Sequence, residues 1–189
     1  MKITLAIDTS TARTQFAILN GSELLWLQME DGATTHGDVL AKFGALAAKE
    51  KIDQVIVGMG PGPFTGLRTG IVFAQSFAFA RGLPVHGVCS LDAIAYGIGL
   101  PEFIVATDAR RKELYWARYI DGKRIGDPLV TAPSEIPKLP IFGEGALKYS
   151  LTSDTEHLHS KLISFPELSH INEPMYLRHP DAVPTVDRK

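Results

Sequence analysis

The chain has 189 residues, 45% apolar and 21% charged, with 19 lysines and arginines against 21 aspartates and glutamates. That length holds one substantial core or two small lobes of about a hundred residues each, and the composition excludes a mainly disordered chain. A formal net charge of -2 gives no global attraction to a polyanion, so nucleic-acid contact by this chain alone rests on a local basic patch, the best being Arg110-Arg111-Lys112.

Ile3 to Asp8 reads as a strand, followed by the polar turn Thr9 to Arg13 and a second strand around Gln15 to Leu19. Asn20-Gly21 then suits the positive φ angles of a two-residue hairpin turn, and Leu24 to Gln28 supplies an antiparallel third strand. From Thr35 the apolar period becomes helical through Val39, Leu40, Phe43, Leu46 and Ala47, with Thr35 and Asp38 placed as a capping pair, which predicts a helix over roughly 36–50. Val55 to Val57 is a short buried-type strand that runs into the glycine-proline loop Gly58 to Gly66 and a second helix ending near Arg81. Pro84 to Val88 begins another strand, and Ser90 to Tyr96 another helix.

The second half repeats this opening in weaker form. Phe103 to Thr107 is an apolar strand ending at Asp108, as Ile3 to Ile7 ends at Asp8; Glu113 to Tyr119 follows, and Asp121-Gly122 stands where Asn20-Gly21 stood. Ile141-Phe142 then leads into Gly143-Glu144-Gly145, echoing the strand that runs into Gly58-Met59-Gly60. Four matches in one order point to a duplicated lobe, with boundaries at 1–101 and 102–189. A short helix is expected near Ala146 to Leu151, Thr152 to Glu173 is weakly periodic, and the tail Asp181 to Lys189, with Pro184, is expected to fray.

Two loops could carry chemistry. Asp8-Thr9-Ser10-Thr11 ends a strand, where hydroxyls and N–H groups can meet a phosphate while the carboxylate serves a magnesium ion; an Asx turn joining two strands is the plainer reading. Gly58 to Gly66 joins a strand to a helix, but no Walker lysine follows, Thr65 occupies the third glycine position of the dinucleotide fingerprint, and Pro61 and Pro63 remove two donors, so a rigid shaped turn is expected. The helix it launches repeats Gly66, Gly70, Ala74 and Ala78 every four residues, a smooth stripe open to close helix approach, with Ile71, Val72, Phe73, Phe77 and Phe79 on its other faces. Burial in this chain's own fold and docking of another molecule both fit that pattern.

The six histidines include no pair at the i,i+4 spacing of a helical metal site, so no metal site is expected. Ser10, Ser90 and Cys89 have no nucleophile elbow around them, which leaves a peptidase reading without an assembled nucleophile. Cys89 is the only cysteine, so no disulfide forms within one chain and a reducing cytoplasmic compartment is expected. Met1-Lys2 runs directly into the first strand without a secretory segment, and no apolar run reaches membrane-spanning length.

Asp8-Thr9-Ser10, the loop Gly60-Pro61-Gly62-Pro63-Phe64-Thr65-Gly66-Leu67-Arg68, Leu83 to Leu91, Asp108-Ala109-Arg110-Arg111 and Pro174-Met175-Tyr176-Leu177-Arg178 together resemble the TsaB family, the dimerisation subunits of the bacterial tRNA threonylcarbamoyladenosine machinery. The resemblance runs from residue 3 to about 181. It implies an α/β, actin-like fold of two ribonuclease-H-like lobes with mixed sheets and a reduced second lobe. It further implies a non-catalytic scaffold that pairs with a catalytic TsaD-type subunit in modifying adenosine 37 of tRNAs reading codons that begin with A, in a complex joined by a TsaE-type ATPase. By the same resemblance the pairing surface is the first two helices, here Val39, Leu40, Phe43, Leu46, Gly66, Gly70, Phe73, Ala74 and Phe77, and a homodimer through that surface stays open as an alternative. Contact with tRNA would then be indirect, no cofactor would be tightly bound, and nucleotide would enter only at the joint between partners. The chain lacks both a His-x-x-x-His metal motif and a late glycine pair, so Asp8, Thr9, Ser10 and Asp108 resemble relics of a nucleotide cleft. The competing reading is an actin-like ATPase or phosphotransferase using Asp8 and Asp108. The stretch between Gly145 and Pro174 is short for the family, which implies a second lobe lacking a helix.

Overall fold

The structure, a computed structural model, describes residues 1–32 and 36–178. Thr35 of the expected capping pair and the tail Asp181 to Lys189 lie outside the described residues.

The first half builds β1 (Ile3–Asp8), β2 (Arg13–Asn20), β3 (Glu23–Asp31), α1 (His36–Ala47), β4 (Gln54–Gly58), α2 (Phe64–Arg81), β5 (Val85–Val88) and α3 (Ser90–Ala95). The second adds β6 (Glu102–Asp108), β7 (Leu114–Ile120), β8 (Lys123–Thr131), β9 (Ile141–Phe142), α4 (Glu144–Lys148), a 3-10 turn at Leu162–Glu167 and β10 (His170–Ile171). Two mixed sheets result, ordered β10-β5-β4-β1-β2-β3 and β8-β7-β6-β9. In each, the first strand of the half pairs antiparallel with the second and parallel with the fourth, β1 with β2 and β4, and β6 with β7 and β9. The duplicated pattern in the sequence is therefore a duplicated strand topology.

Alternation divides the first sheet between two cores. Leu5, Ile7, Phe16, Ile18, Val55 and Val57 face α1 and α2, meeting Val39, Leu40, Phe43, Leu67, Ile71 and Ala74. Ala6, Ala17, Leu19 and Ile56 face the opposite way, where Val88, Ala93, Leu162 and Phe165 join them. The small side chains of Ala6 and Ala17 leave room there for Phe165, which is fully buried. Helix α3 is shared between the sheets, for Ala93 packs on the first while Leu91, Ile94 and Ala95 join Phe103, Val105, Ala117 and Tyr119 of the second.

Three features differ from the sequence expectation. Strand β8 was not expected, because Gly126, Asp127 and Pro128 interrupt its apolar alternation and its pairing with β7 is irregular between Trp116 and Arg118. The weakly periodic stretch 152–173 returns to the first sheet, where β10 pairs antiparallel with β5, His170 against Val88 and Ile171 against Gly87. The first hairpin turns on Gly21 and Ser22, one residue beyond the expected dipeptide, with Gly21 at φ 63°, whereas Asp121 and Gly122 do form the second turn at φ 46° and 74°.

Candidate functional site

The turn after β1 is buried: Asp8, Thr9 and Ser10 are each 2% exposed or less. Both oxygens of the Asp8 carboxylate are engaged by this chain. Oδ1 accepts the Ser10 N–H at 2.8 Å, closing an Asx turn, and Oδ2 accepts the Ser160 hydroxyl at 2.5 Å. The glycine-proline loop packs backbone-on-backbone against this turn, with a cis Gly60-Pro61 peptide. A Cβ on Gly58 would stand 2.6 Å from Ser90 Oγ and 2.7 Å from Asp8 Cγ, and one on Gly62 would enter the Ser10 carbonyl. The loop is the shaped turn expected from Pro61 and Pro63.

The same arrangement recurs in the second sheet. A Cβ on Gly145 would meet Thr107 and Asp108 backbone at 2.5 and 2.7 Å, and Glu144 accepts the Asp108 N–H at 2.8 Å. Burial pushes the Glu144 carboxyl up, with the Asp108 N–H bond opposing it. The Asp108 side chain differs from Asp8 in its partners: Oδ2 meets Lys148 Nζ at 2.6 Å and Oδ1 accepts the Arg110 N–H at 3.2 Å.

Next to it stand three successive non-glycine residues with positive φ, Arg110 at 60°, Arg111 at 51° and Lys112 at 62°. Each left-handed residue costs about 1 kcal/mol or more relative to ordinary backbone. The turn is held at its base, where Ala109 N–H donates to Glu113 at 3.0 Å, Glu113 N–H donates to Arg110 at 2.9 Å, and Arg178 Nη1 donates to the Ala109 carbonyl at 3.0 Å. Arg178 also pairs with Glu113.

Arg178 ends a strap that touches both halves. Met175 N–H donates to the Met59 carbonyl at 2.8 Å, in the glycine-proline loop, and the Tyr176 ring lies 5.0 Å from the Phe64 ring at the start of α2. Neither Ser160 nor this strap could be placed on the site by the sequence pattern, although Pro174 to Arg178 belonged to the family resemblance.

The small-residue stripe of α2 is filled from within. Thr9 Oγ1 donates to the Gly66 carbonyl at 2.8 Å, and its side chain occupies the space a Cβ on Gly70 would need. Gly44 of α1 is close enough to the Phe73 ring that a Cβ there would stand 2.8 Å from Cε2. Of the residues expected at a partner surface, Val39, Leu40, Phe43, Gly66, Gly70 and Ala74 are thus buried among this chain's own side chains, Phe73 and Phe77 are half-buried, and Leu46 is 46% exposed. What α2 offers outward is the row Thr65, Arg68, Val72, Gln75 and Phe79, with Val72 at 50% and Phe79 at 90% exposure. Phe64, Thr65, Arg68, Thr69, Val72 and Phe73 line a shallow groove of about 450 Å³ along it.

Two described histidines are held below their ordinary value by burial beside the site. His36 is buried at the entrance to α1, with Nδ1 2.6 Å from Thr14 Oγ1, and burial pushes its imidazole down, assisted by the Arg110 charge and opposed by Asp8. His159, on the wall of a second cavity with Arg13 and Gln15, is pushed down to about 4, chiefly by burial. Cys89 is 1% exposed and burial pushes its thiol up to about 12, the opposite of what a nucleophile needs. Among the described residues no group of three or more His, Cys, Asp or Glu side chains could hold a metal ion, and no helix is long and apolar enough to cross a membrane.

Comparison with known proteins bears on this geometry. The family model described as TsaD, tRNA N6-adenosine threonylcarbamoyltransferase, matches residues 39–170. An uncharacterized protein of Mycobacterium tuberculosis is 38% identical over 198 aligned residues, covering 95% of this chain and 93% of that protein. The tRNA threonylcarbamoyladenosine biosynthesis protein TsaB of Escherichia coli is 35% identical over 133 residues, covering 61% of this chain and 54% of that protein. The match thus spans about half of that named relative's length. Among solved structures, a protein described as similar to peptidase YEAZ, from Pseudomonas aeruginosa, superposes at TM-score 0.73 and 26% identity over 94% of this chain and 100% of its own. YeaZ from the same organism superposes at TM-score 0.66 and 29% identity over 82% of this chain and 81% of its own. These likenesses, with two mixed sheets, agree with the α/β, actin-like class that the family resemblance implies.

Proposed function

Because the chain belongs to the TsaB family of tRNA threonylcarbamoyladenosine biosynthesis proteins, we propose that it acts there as a non-catalytic subunit that docks a TsaD-type catalytic partner on the outer face of α2. Its role lies in tRNA threonylcarbamoyladenosine biosynthesis.

The observation that carries the docking surface is the exposure of Val72 and Phe79, 50% and 90%, one above the other on an 18-residue helix whose inner face is already filled. Apolar side chains seven residues apart lie on one helical face two turns apart, where a single partner surface can cover both. A partner with a related fold can offer an equivalent helix, and the groove between Phe64 and Phe73 admits one of its side chains. The non-catalytic part of the proposal is supported by Asp8, whose two carboxylate oxygens are occupied by Ser10 and Ser160 where a phosphotransferase needs them for magnesium. Recruitment of a TsaE-type ATPase by the assembled pair completes the proposal, with adenosine 37 of tRNA as the site modified by the partner.

Titration of the purified chain with its TsaD-type partner tests this. The wild type is expected to form a heterodimer, while Val72→Glu and Phe79→Glu weaken it tenfold or more without changing the circular dichroism spectrum. A heterodimer indifferent to both substitutions removes the outer face of α2 from the interface, and turnover of Mg-ATP by the isolated chain favours the ATPase reading.

A further inference from the structure

We infer that the turn Arg110–Lys112 is a phosphate-binding element through which this chain itself grips the sugar-phosphate backbone of the RNA substrate. The inference rests on the proposed role in tRNA modification and adds to it a direct RNA contact on this subunit.

Arg110, Arg111 and Lys112 are the one run of three consecutive cations in a sequence of net charge -2, and all three are exposed. All three also adopt positive φ. Glycine or asparagine would occupy such positions at lower cost, so a basic side chain at every one of them is retained against local conformational preference. Strain of this kind persists where the surroundings over-determine it, and it concentrates at binding sites.

The surroundings do over-determine it. The Ala109, Arg110 and Glu113 backbone bonds close the base of the turn, and Arg178 clamps the Ala109 carbonyl. The acids that flank the turn are already engaged, Asp108 by Lys148 and Glu113 by Arg178. They therefore hold the turn's shape while their own charge is balanced by cations outside it. Three exposed cations on a rigid base suit phosphates strung along a backbone, which arginine meets with a planar fork and lysine as a point charge. A free nucleotide shares the phosphate chemistry, and the experiment separates the two sources.

The test uses the heterodimer, with the isolated chain in parallel, and unmodified tRNA as the probe, its affinity read by fluorescence anisotropy across a salt series. The triple substitution Arg110→Asn, Arg111→Asn, Lys112→Asn removes the charge with a residue that tolerates positive φ, so the fold is kept. It is expected to weaken RNA binding about tenfold or more and to flatten the slope of log affinity against log salt by about 2, since each lost phosphate contact removes roughly 0.7 to 0.9. Arg110→Lys with Arg111→Lys is expected to keep most of the slope. Heterodimer formation, measured without RNA, stays at the wild-type level; its absence in the wild type would overturn the proposed docking, not this contact. An unchanged salt slope in the asparagine variant overturns the inference, as does a loss confined to Mg-ATP binding or to heterodimer formation.

Discussion

Thr9 and Gly70 occupy one volume between β1 and α2: the Thr9 hydroxyl donates to the Gly66 carbonyl at 2.8 Å, and its side chain fills the place of a Cβ on Gly70. A glycine inside a helix ordinarily forgoes about 1 kcal/mol relative to alanine. Overpacking a closed site costs about 1–3 kcal/mol, so here the clash outweighs the gained propensity. Gly70→Ala is expected to lower the urea midpoint, and Gly70→Leu to lower it further. Thr9→Ala alone loses the bond to Gly66, yet combined with Gly70→Ala it should cost less than the sum of the two. Additive costs in that double-mutant cycle would remove the contact from the account.

The stripe therefore shows both what spacing reveals and where it stops. Repetition of Gly66, Gly70, Ala74 and Ala78 declares a face smooth enough for close approach, but the residue that fills it lies 57 positions before Gly66. Strands β1, β2 and β4 were legible because buried alternation or short apolar runs coincide with glycine turns. The segment Leu162–Glu167 and β10 were not, because two paired residues and one 3-10 turn carry too little periodicity, and their place depends on Phe165 filling the room left by Ala6 and Ala17. Of the candidate site, the two aspartate turns and the glycine loops that cover them could be read. The Ser160 contact with Asp8 spans 152 residues and leaves no local signal.

Ser160→Ala deprives Asp8 Oδ2 of its hydroxyl donor in a place that is 2% exposed. Hydrogen bonds to charged groups contribute about 1.5–3 kcal/mol. The variant is expected to lose stability of that order in urea unfolding while keeping its affinity for the TsaD-type partner. Loss of partner affinity with unchanged stability would make Asp8 part of the interface.

Stability is also expected to depend on pH through the histidines. His36, His86 and His159 are all held below the ordinary value of 6.5, the first cause in each being burial, and His159 reaches about 4. Below pH 6.5 the unfolded chain takes up protons that the folded chain refuses, so the stabilisation is complete above 6.5 and is lost as the pH falls toward 4. For His159, half-buried and screened by solvent, the loss amounts to about 1–2 kcal/mol. Urea midpoints between pH 7.5 and 4.5 should fall less steeply in His159→Asn than in the wild type. Parallel curves would place the titrating group elsewhere.

The strap from Met175 to Arg178 joins elements of both sheets through few contacts, and its energetics should separate local from global opening. The Arg178–Glu113 pair is partly exposed, 24% and 37% at the side chains, and such pairs contribute about 1 kcal/mol or less. Tyr176 is 41% exposed and adds ring contact with Phe64. Neither Tyr176 nor Arg178 belongs to the core, so Tyr176→Ala is expected to lower Tm by only about 2–4 °C. The strap itself, however, is held by these contacts, by the bond from Arg178 Nη1 to the Ala109 carbonyl, by the packing of Met175 on the core of the second sheet and by the bond from Met175 N–H to the Met59 carbonyl. Hydrogen exchange at the Met175 amide should therefore speed up about tenfold in Tyr176→Ala, and the further substitution Arg178→Met should speed it again. If exchange at Met175 instead follows the global unfolding free energy in every variant, the strap opens only with the whole molecule, and the two halves are one cooperative unit.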